Sequence, residues 1–165
     1  LWAQASADPL QGQGDRSVTP ARQLAERFGN PSAMRALYAP DVSWEISASL
    51  GMPQLDGIDA VCAFNDQVWT EHHRRDCTVT ILDEVGDKAI SAVRFIYRAW
   101  SLFAADWYEN EYTLFVHAGD AGITRIHEAF DTSATVDFLA GRPPGWSWGA
   151  IGGAVGESVG ELGRH

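Results

Sequence analysis

Toward its C-terminal end the chain runs Gly119-Asp120-Ala121-Gly122-Ile123-Thr124-Arg125-Ile126-His127-Glu128-Ala129-Phe130-Asp131. The turn Ala118–Gly122 leads into a strand, Ile123–Asp131, whose side chains alternate between two faces. Thr124, Ile126, Glu128 and Phe130 share one face, and Arg125, His127 and Asp131 lie on the other. If the apolar pair Ile126 and Phe130 points into the core, Glu128 goes with it. A carboxyl among apolar groups resists ionisation, so its pKa rises toward neutrality, where a general acid or base works best. The alternative partner for Glu128 is a cation, Arg94 or Arg98, from a neighbouring strand. A slip of one residue in the turn at Gly119 would exchange the two faces.

Upstream of this strand the period stays at two. Trp107–His117 is predicted as a strand, with Asn110, Tyr112, Leu114 and Val116 on the candidate inner face. Ala104-Ala105-Asp106 makes a turn, preceded by a long strand from Ala89 to about Phe103. Its aromatic face carries Val93, Phe95 and Tyr97, and the other carries Arg94, Ile96 and Arg98. A turn at Gly86-Asp87 and a strand over Cys77–Leu82 come before it.

Further upstream the signals become helical. Thr19-Pro20 and Asn30-Pro31 are both capping residues followed by a proline suited to the first helical turn. The first helix buries Leu24, Ala25 and Phe28 and stops at Gly29. The second buries Met34, Leu37 and Tyr38 and ends at Pro40. Val42, Trp44 and Ile46 then alternate with polar residues in a half-buried strand from Asp41. A third helix, capped by Asp56, places Ile58, Val61, Phe64, Val68, Trp69 and His72 on its inner side. A short amphipathic segment, Ser133–Leu139, closes the run. Helices grouped against one face of a meandering sheet make an α+β fold. Long twisted strands coil, so a curved antiparallel sheet with three N-terminal helices across its mouth is expected to form a cone enclosing a pocket.

Composition narrows the partners. The 165 residues suit one core, with 45% hydrophobic and 11% aromatic content. Twenty-two acidic against twelve basic residues leave a net charge of −10, which argues against nucleic-acid and anionic-membrane partners. No apolar run approaches the ~20 residues of a membrane span, and the expected location is the cytoplasm. Cys62 and Cys77 lie in no CxxC pair and are expected as buried free thiols. The chain opens at Leu1, and residues 1–18 are expected to be a loosely ordered leader, with the domain over 19–140 and a Gly/Pro-rich tail over 141–165. Gly152, Gly156 and Gly160 repeat every fourth position, but Glu157 interrupts the apolar run, which favours a tail over a membrane-packing helix.

Beside Glu128, the candidate catalytic residues are His72 and Tyr112. His72 is a potential proton shuttle, or a helix-terminal histidine that interacts with the last carbonyls. Tyr112 and Asn110 can orient a carbonyl or hydroxyl without adding charge, or serve as a core aromatic and a strand-edge tie. Trp44, Trp69, Phe95, Tyr97, Leu114, Ile126 and Phe130 complete the expected substrate-binding lining, with Trp100 and Trp107 assigned to core and wall. Glu71-His72-His73 is not HExxH, so no metal is expected.

Four stretches carry a resemblance. Ala36-Leu37-Tyr38-Ala39-Pro40-Asp41-Val42-Ser43-Trp44 resembles the first-strand entry of the NTF2-like superfamily, and Gly57-Ile58-Asp59-Ala60-Val61 its third-helix start. Tyr108-Glu109-Asn110-Glu111-Tyr112 and Gly119 through Asp131 are similar to the last two strands of SnoaL-like members. Together they cover roughly residues 19–139. The resemblance implies a cone-shaped α+β barrel, often a homodimer, among polyketide cyclases, ketosteroid isomerase, limonene epoxide hydrolase and scytalone dehydratase. Glu128 falls where limonene epoxide hydrolase places a catalytic aspartate. The departures are plain: Ile96 breaks that enzyme's Arg-x-Asp pattern after Arg94, and Ile46 stands near the ketosteroid isomerase base. The implied function is a cofactor-free acid–base enzyme, a cyclase or isomerase, acting on a hydrophobic, cyclic small molecule. Dehydration (a lyase) and epoxide opening also remain open, and the alternative is a non-catalytic binding or dimerisation module.

Overall fold

In a computed structural model of the chain, residues 18–144 are described. The expected leader (but for its last residue) and the tail beyond residue 144, with its spaced glycines, lie outside them. α1 (Pro20–Ala25) starts where Thr19 Oγ1 accepts from the Arg22 amide, and α2 (Pro31–Arg35) where Asn30 Oδ1 accepts from Ala33. Between them Gly29 adopts φ +86°, and a Cβ there would lie 2.3 Å from Cys77 Sγ. α2 stops short of Pro40. Tyr38 already belongs to β1 (Tyr38–Ile46), because its buried phenol is drawn to Asn65 Nδ2 at 2.8 Å.

The short strand β2 (Leu55–Asp56) follows, then α3 (Ile58–Gln67). Asp56 is not its cap. That place is taken by Gly57 at φ +85°, and the Asp56 carboxylate instead accepts from Gln54. α3 continues into one π-helical turn, Val68–His72, closed by the His73 amide on Val68 O at 2.7 Å.

The remaining strands are β3 (Thr78–Gly86), β4 (Ile90–Ser101), β5 (Asp106–Gly119) and β6 (Gly122–Phe130). They form a continuous antiparallel meander, but β1 joins β6 in parallel, so the sheet is mixed, in the order β2-β1-β6-β5-β4-β3. Asp131 lies past the last strand and caps α4 (Thr132–Leu139) through the Ser133 amide.

Face parity follows the sequence pattern. Val93, Phe95, Tyr97 and Ala99 of β4 and Tyr108, Asn110, Tyr112, Leu114 and Val116 of β5 are buried on the inner, concave side. Arg94, Arg98, Glu109 and Glu111 lie on the outer side in exposed ion pairs. Trp100 and Trp107 also belong there, not in the core. They pack edge to face at 5.5 Å, and the Arg98 guanidinium stands 4.2 Å over the Trp107 ring. Cys62 is a buried thiol, whereas Cys77 is half-buried and donates to Phe28 O. No helix among the described residues is long and apolar enough to cross a membrane.

Candidate functional site

The register of β6 decides the chemistry of the interior. Glu128 pairs laterally with Leu114 on β5 and Ile46 on β1, so its side chain rises from the inner face among apolar neighbours. It is 6% exposed. Trp44 Nε1 donates to Glu128 Oε2 at 3.0 Å, and no cation reaches the carboxyl among the described residues. Arg94 is engaged by Asp83 and Glu111, and Arg98 by Glu109, both on the far side of the sheet. Burial therefore pushes the Glu128 pKa up to about 7, with the Trp44 hydrogen bond opposing the rise.

Glu128 opens onto a cavity of about 70 Å³ at the mouth of the cone. Trp44, Trp69, Tyr97, Tyr112 and Phe130 line it, as do His72 and Glu128. Phe95, Leu114 and Ile126 are wholly buried behind that lining. Phe95 stacks on Tyr112 at 5.7 Å and buttresses it from the sheet side. Asn110 also lies outside the cavity wall. Its amide donates to Tyr108 Oη at 2.8 Å and Asp131 O at 2.7 Å and accepts from the Asp131 amide, so it ties the end of β6 to β5.

Two ordered clusters of hydroxyls and ring nitrogens complete the wall. Tyr108 Oη lies 2.9 Å from both Tyr112 Oη and Thr135 Oγ1, which brings α4 to the mouth. Tyr97 Oη receives Trp69 Nε1 at 2.9 Å and lies 2.9 Å from His73 Nδ1. Burial raises the pKa of all three tyrosines, so they remain protonated donors. His72 and His73 are both buried and stack at 4.1 Å. Burial lowers the His72 pKa to about 4 and that of His73 well below its ordinary value, so both rings are neutral near pH 7.

His73, Tyr108, Asn65 and Phe28 are lining residues that sequence reasoning did not select. The sequence places Phe28 inward on the first helix; it lies just past the end of α1, and its ring contacts Trp44, Trp69, Tyr97 and Tyr112. Tyr108 shares inner-face parity with Asn110 and Tyr112, a signal that was available. His73 had none, because α-helical spacing puts it away from His72. Among the described residues, no group of three or more His, Cys, Asp or Glu side chains could hold a metal ion.

The comparisons agree with this architecture. No curated protein sequence matches the chain. Among solved structures, a candidate SnoaL-like polyketide cyclase from Jannaschia sp. CCS1 superposes with TM-score 0.63 at 12% identity, covering 80% of this chain and 100% of that one. A candidate isomerase from Bacillus subtilis superposes with TM-score 0.61 at 15% identity, over 74% and 94% of the two chains. TerC, crystallised with polyporic acid, gives 0.60 at 14% identity over 72% and 93%. At such identities the likeness establishes the fold, the NTF2-like, ketosteroid isomerase-like cone. The sequence profile of the SnoaL-like domain matches residues 21–136, and the chain belongs to that family.

Proposed function

We propose that the protein is a cofactor-free acid–base enzyme, a cyclase or isomerase, whose substrate is a hydrophobic cyclic small molecule. The observation that carries this reading is Glu128, a buried carboxyl facing an aromatic cavity with, among the described residues, one neutral donor and no cation. With a pKa of about 7 it is present as both base and acid near neutrality, where proton transfer is most effective. As carboxylate it removes a proton from a carbon beside a carbonyl, and the electron pair moves onto the oxygen as an enolate. In a β,γ-unsaturated ketone the enolate extends to the γ carbon, and returning the proton there shifts the double bond into conjugation and completes an isomerisation. Attack of the enolate carbon on a second carbonyl, followed by protonation of the new alkoxide, completes a ring closure. Both sequences balance without an oxidant or a metal. Tyr112, whose hydroxyl is paired with that of Tyr108, lines the same cavity and is the candidate to polarise the substrate oxygen.

The test is deuterium wash-in from D₂O into 2-tetralone and 1-indanone, read by mass spectrometry. The wild-type protein is expected to accelerate exchange, and Glu128→Gln to slow it about 100-fold or more with circular dichroism unchanged. Exchange no faster than buffer, or full exchange in the variant, overturns the assignment. One observation favours the second reading, a binding module: at about 70 Å³ the cavity is smaller than most substrate pockets. Binding of 2-tetralone without any exchange would establish it. We also propose a homodimer, supported by the outer sheet face, where Phe115 and Trp107 are exposed; light scattering on the full chain tests it.

A further inference from the structure

We propose that His73 is a second polar anchor of the cavity, donating a hydrogen bond from Nε2–H to a carbonyl or hydroxyl oxygen of the bound molecule. The choice of ligand rests on the acid–base reading above; the hydrogen bond itself does not.

The tautomer follows from the neighbours. An indole N–H can only donate, so Tyr97 Oη accepts from Trp69 Nε1 at 2.9 Å, and its own buried proton finds an acceptor among the described residues only in the ring nitrogen beside it. The ring nitrogen beside it is His73 Nδ1, also at 2.9 Å. With Nδ1 accepting, the neutral imidazole carries its hydrogen on Nε2. That atom is buried and has no partner among the described residues. A buried donor left unsatisfied is unfavourable, and a ligand oxygen at this wall would satisfy it.

The donor is also held still. The His73 ring is stacked between His72 at 4.1 Å and Tyr108 at 4.9 Å, and its backbone bridges to Ser101 at the end of β4. A fixed, uncharged donor in an apolar wall suits an uncharged acceptor, and an N–H set in advance loses little freedom when it is used. His73 lines the same cavity as Glu128.

The experiment uses ¹⁵N-histidine-labelled full-length protein with 2-tetralone and its hydrocarbon counterpart tetralin. The free protein is expected to show the Nε2–H tautomer at His73, with its Nε2 resonance moved by saturating 2-tetralone and not by tetralin. His73→Phe is expected to lower the preference for ketone over hydrocarbon about tenfold. A free-state Nδ1–H tautomer, an Nε2 signal unmoved at the solubility limit of 2-tetralone, or an unchanged preference in the variant overturns the proposal. The spectra need no variant, so a misfolded His73→Phe leaves the question decidable. Glu128→Gln should keep the Nε2 response while losing exchange. Retained exchange there overturns the acid–base reading alone, and a missing Nε2 response overturns this proposal alone.

Discussion

Burial and one opposing hydrogen bond set how much of the time Glu128 is charged. Trp44 Nε1 is a donor that favours the carboxylate, working against the burial that favours the acid. Trp44→Phe keeps an aromatic plug and removes only that donor. Hydrogen bonds to charged groups are worth about 1.5–3 kcal/mol, so the Glu128 pKa should climb by roughly one pH unit or more. Carbon NMR titration of the labelled carboxyl reads this directly. The limb of any pH–rate profile that requires the base should move upward with it. A carboxyl that titrates at or below the wild-type position would sink the account of the Trp44–Glu128 pair. The inward direction of Glu128 was legible in the sequence because Ile126 and Phe130 flank it at period two. Freedom from Arg94 and Arg98 was equally implicit, since both alternate with the buried Val93, Phe95 and Tyr97. The Trp44 donor was not legible. It arrives through the parallel pairing of Ile46 with Glu128, a contact between distant segments that no local pattern encodes.

At the scale of elements, two local irregularities place the site. The first is the β5–β6 turn, where Gly122 adopts φ +117° and its Cα side faces β1. A Cβ there would lie 2.6 Å from Leu37 O, a backbone atom that cannot swing aside. Gly122→Ala therefore combines a left-handed backbone with overlap and should cost about 2–4 kcal/mol. The expected result is a lower denaturant midpoint at unchanged slope; an unaltered midpoint would show that the β1–β6 junction yields freely. The second irregularity is the π turn Val68–His72. His72 ends that turn and His73 leaves it extended, bridging to Ser101 between the bonds Leu102 N–H to His72 O and Arg74 N–H to Trp100 O, so the consecutive His72 and His73 are both buried at the cavity. Periodicity of 3.6 found His72 and passed over His73 for this reason. The strands were more legible than the helix ends: alternation survives tertiary packing, whereas Tyr38 and Asp56 were displaced by a phenol–amide contact and a glycine cap.

Over the whole molecule, the buried titratable groups pull stability in opposite directions. For Glu128 the folded pKa of about 7 lies above its ordinary 4.5, so the folded protein binds the extra proton. That contribution is fully present below pH 4.5 and is lost as pH rises toward and through 7. At about 1.4 kcal/mol per pH unit, the loss amounts to roughly 3 kcal/mol. His72 behaves oppositely. Its pKa of about 4 lies below the ordinary 6.5, so its contribution is complete above 6.5 and fades as pH falls toward 4. His73 adds to the same trend. A wild-type stability curve mixes these slopes, but the difference between Glu128→Gln and wild type isolates one. Glutamine copies the shape of the protonated acid and does not ionise, so the variant escapes the cost of burying a charge. The unfolding free energy of Glu128→Gln minus that of wild type should be nearly constant below pH 4.5. It should then rise by roughly 3 kcal/mol up to about pH 7 and level off above it. Urea unfolding across that range measures it. A difference that stays flat through the window would mean the carboxyl titrates where an exposed glutamate does, and the proton carrier of the proposed reaction would be gone.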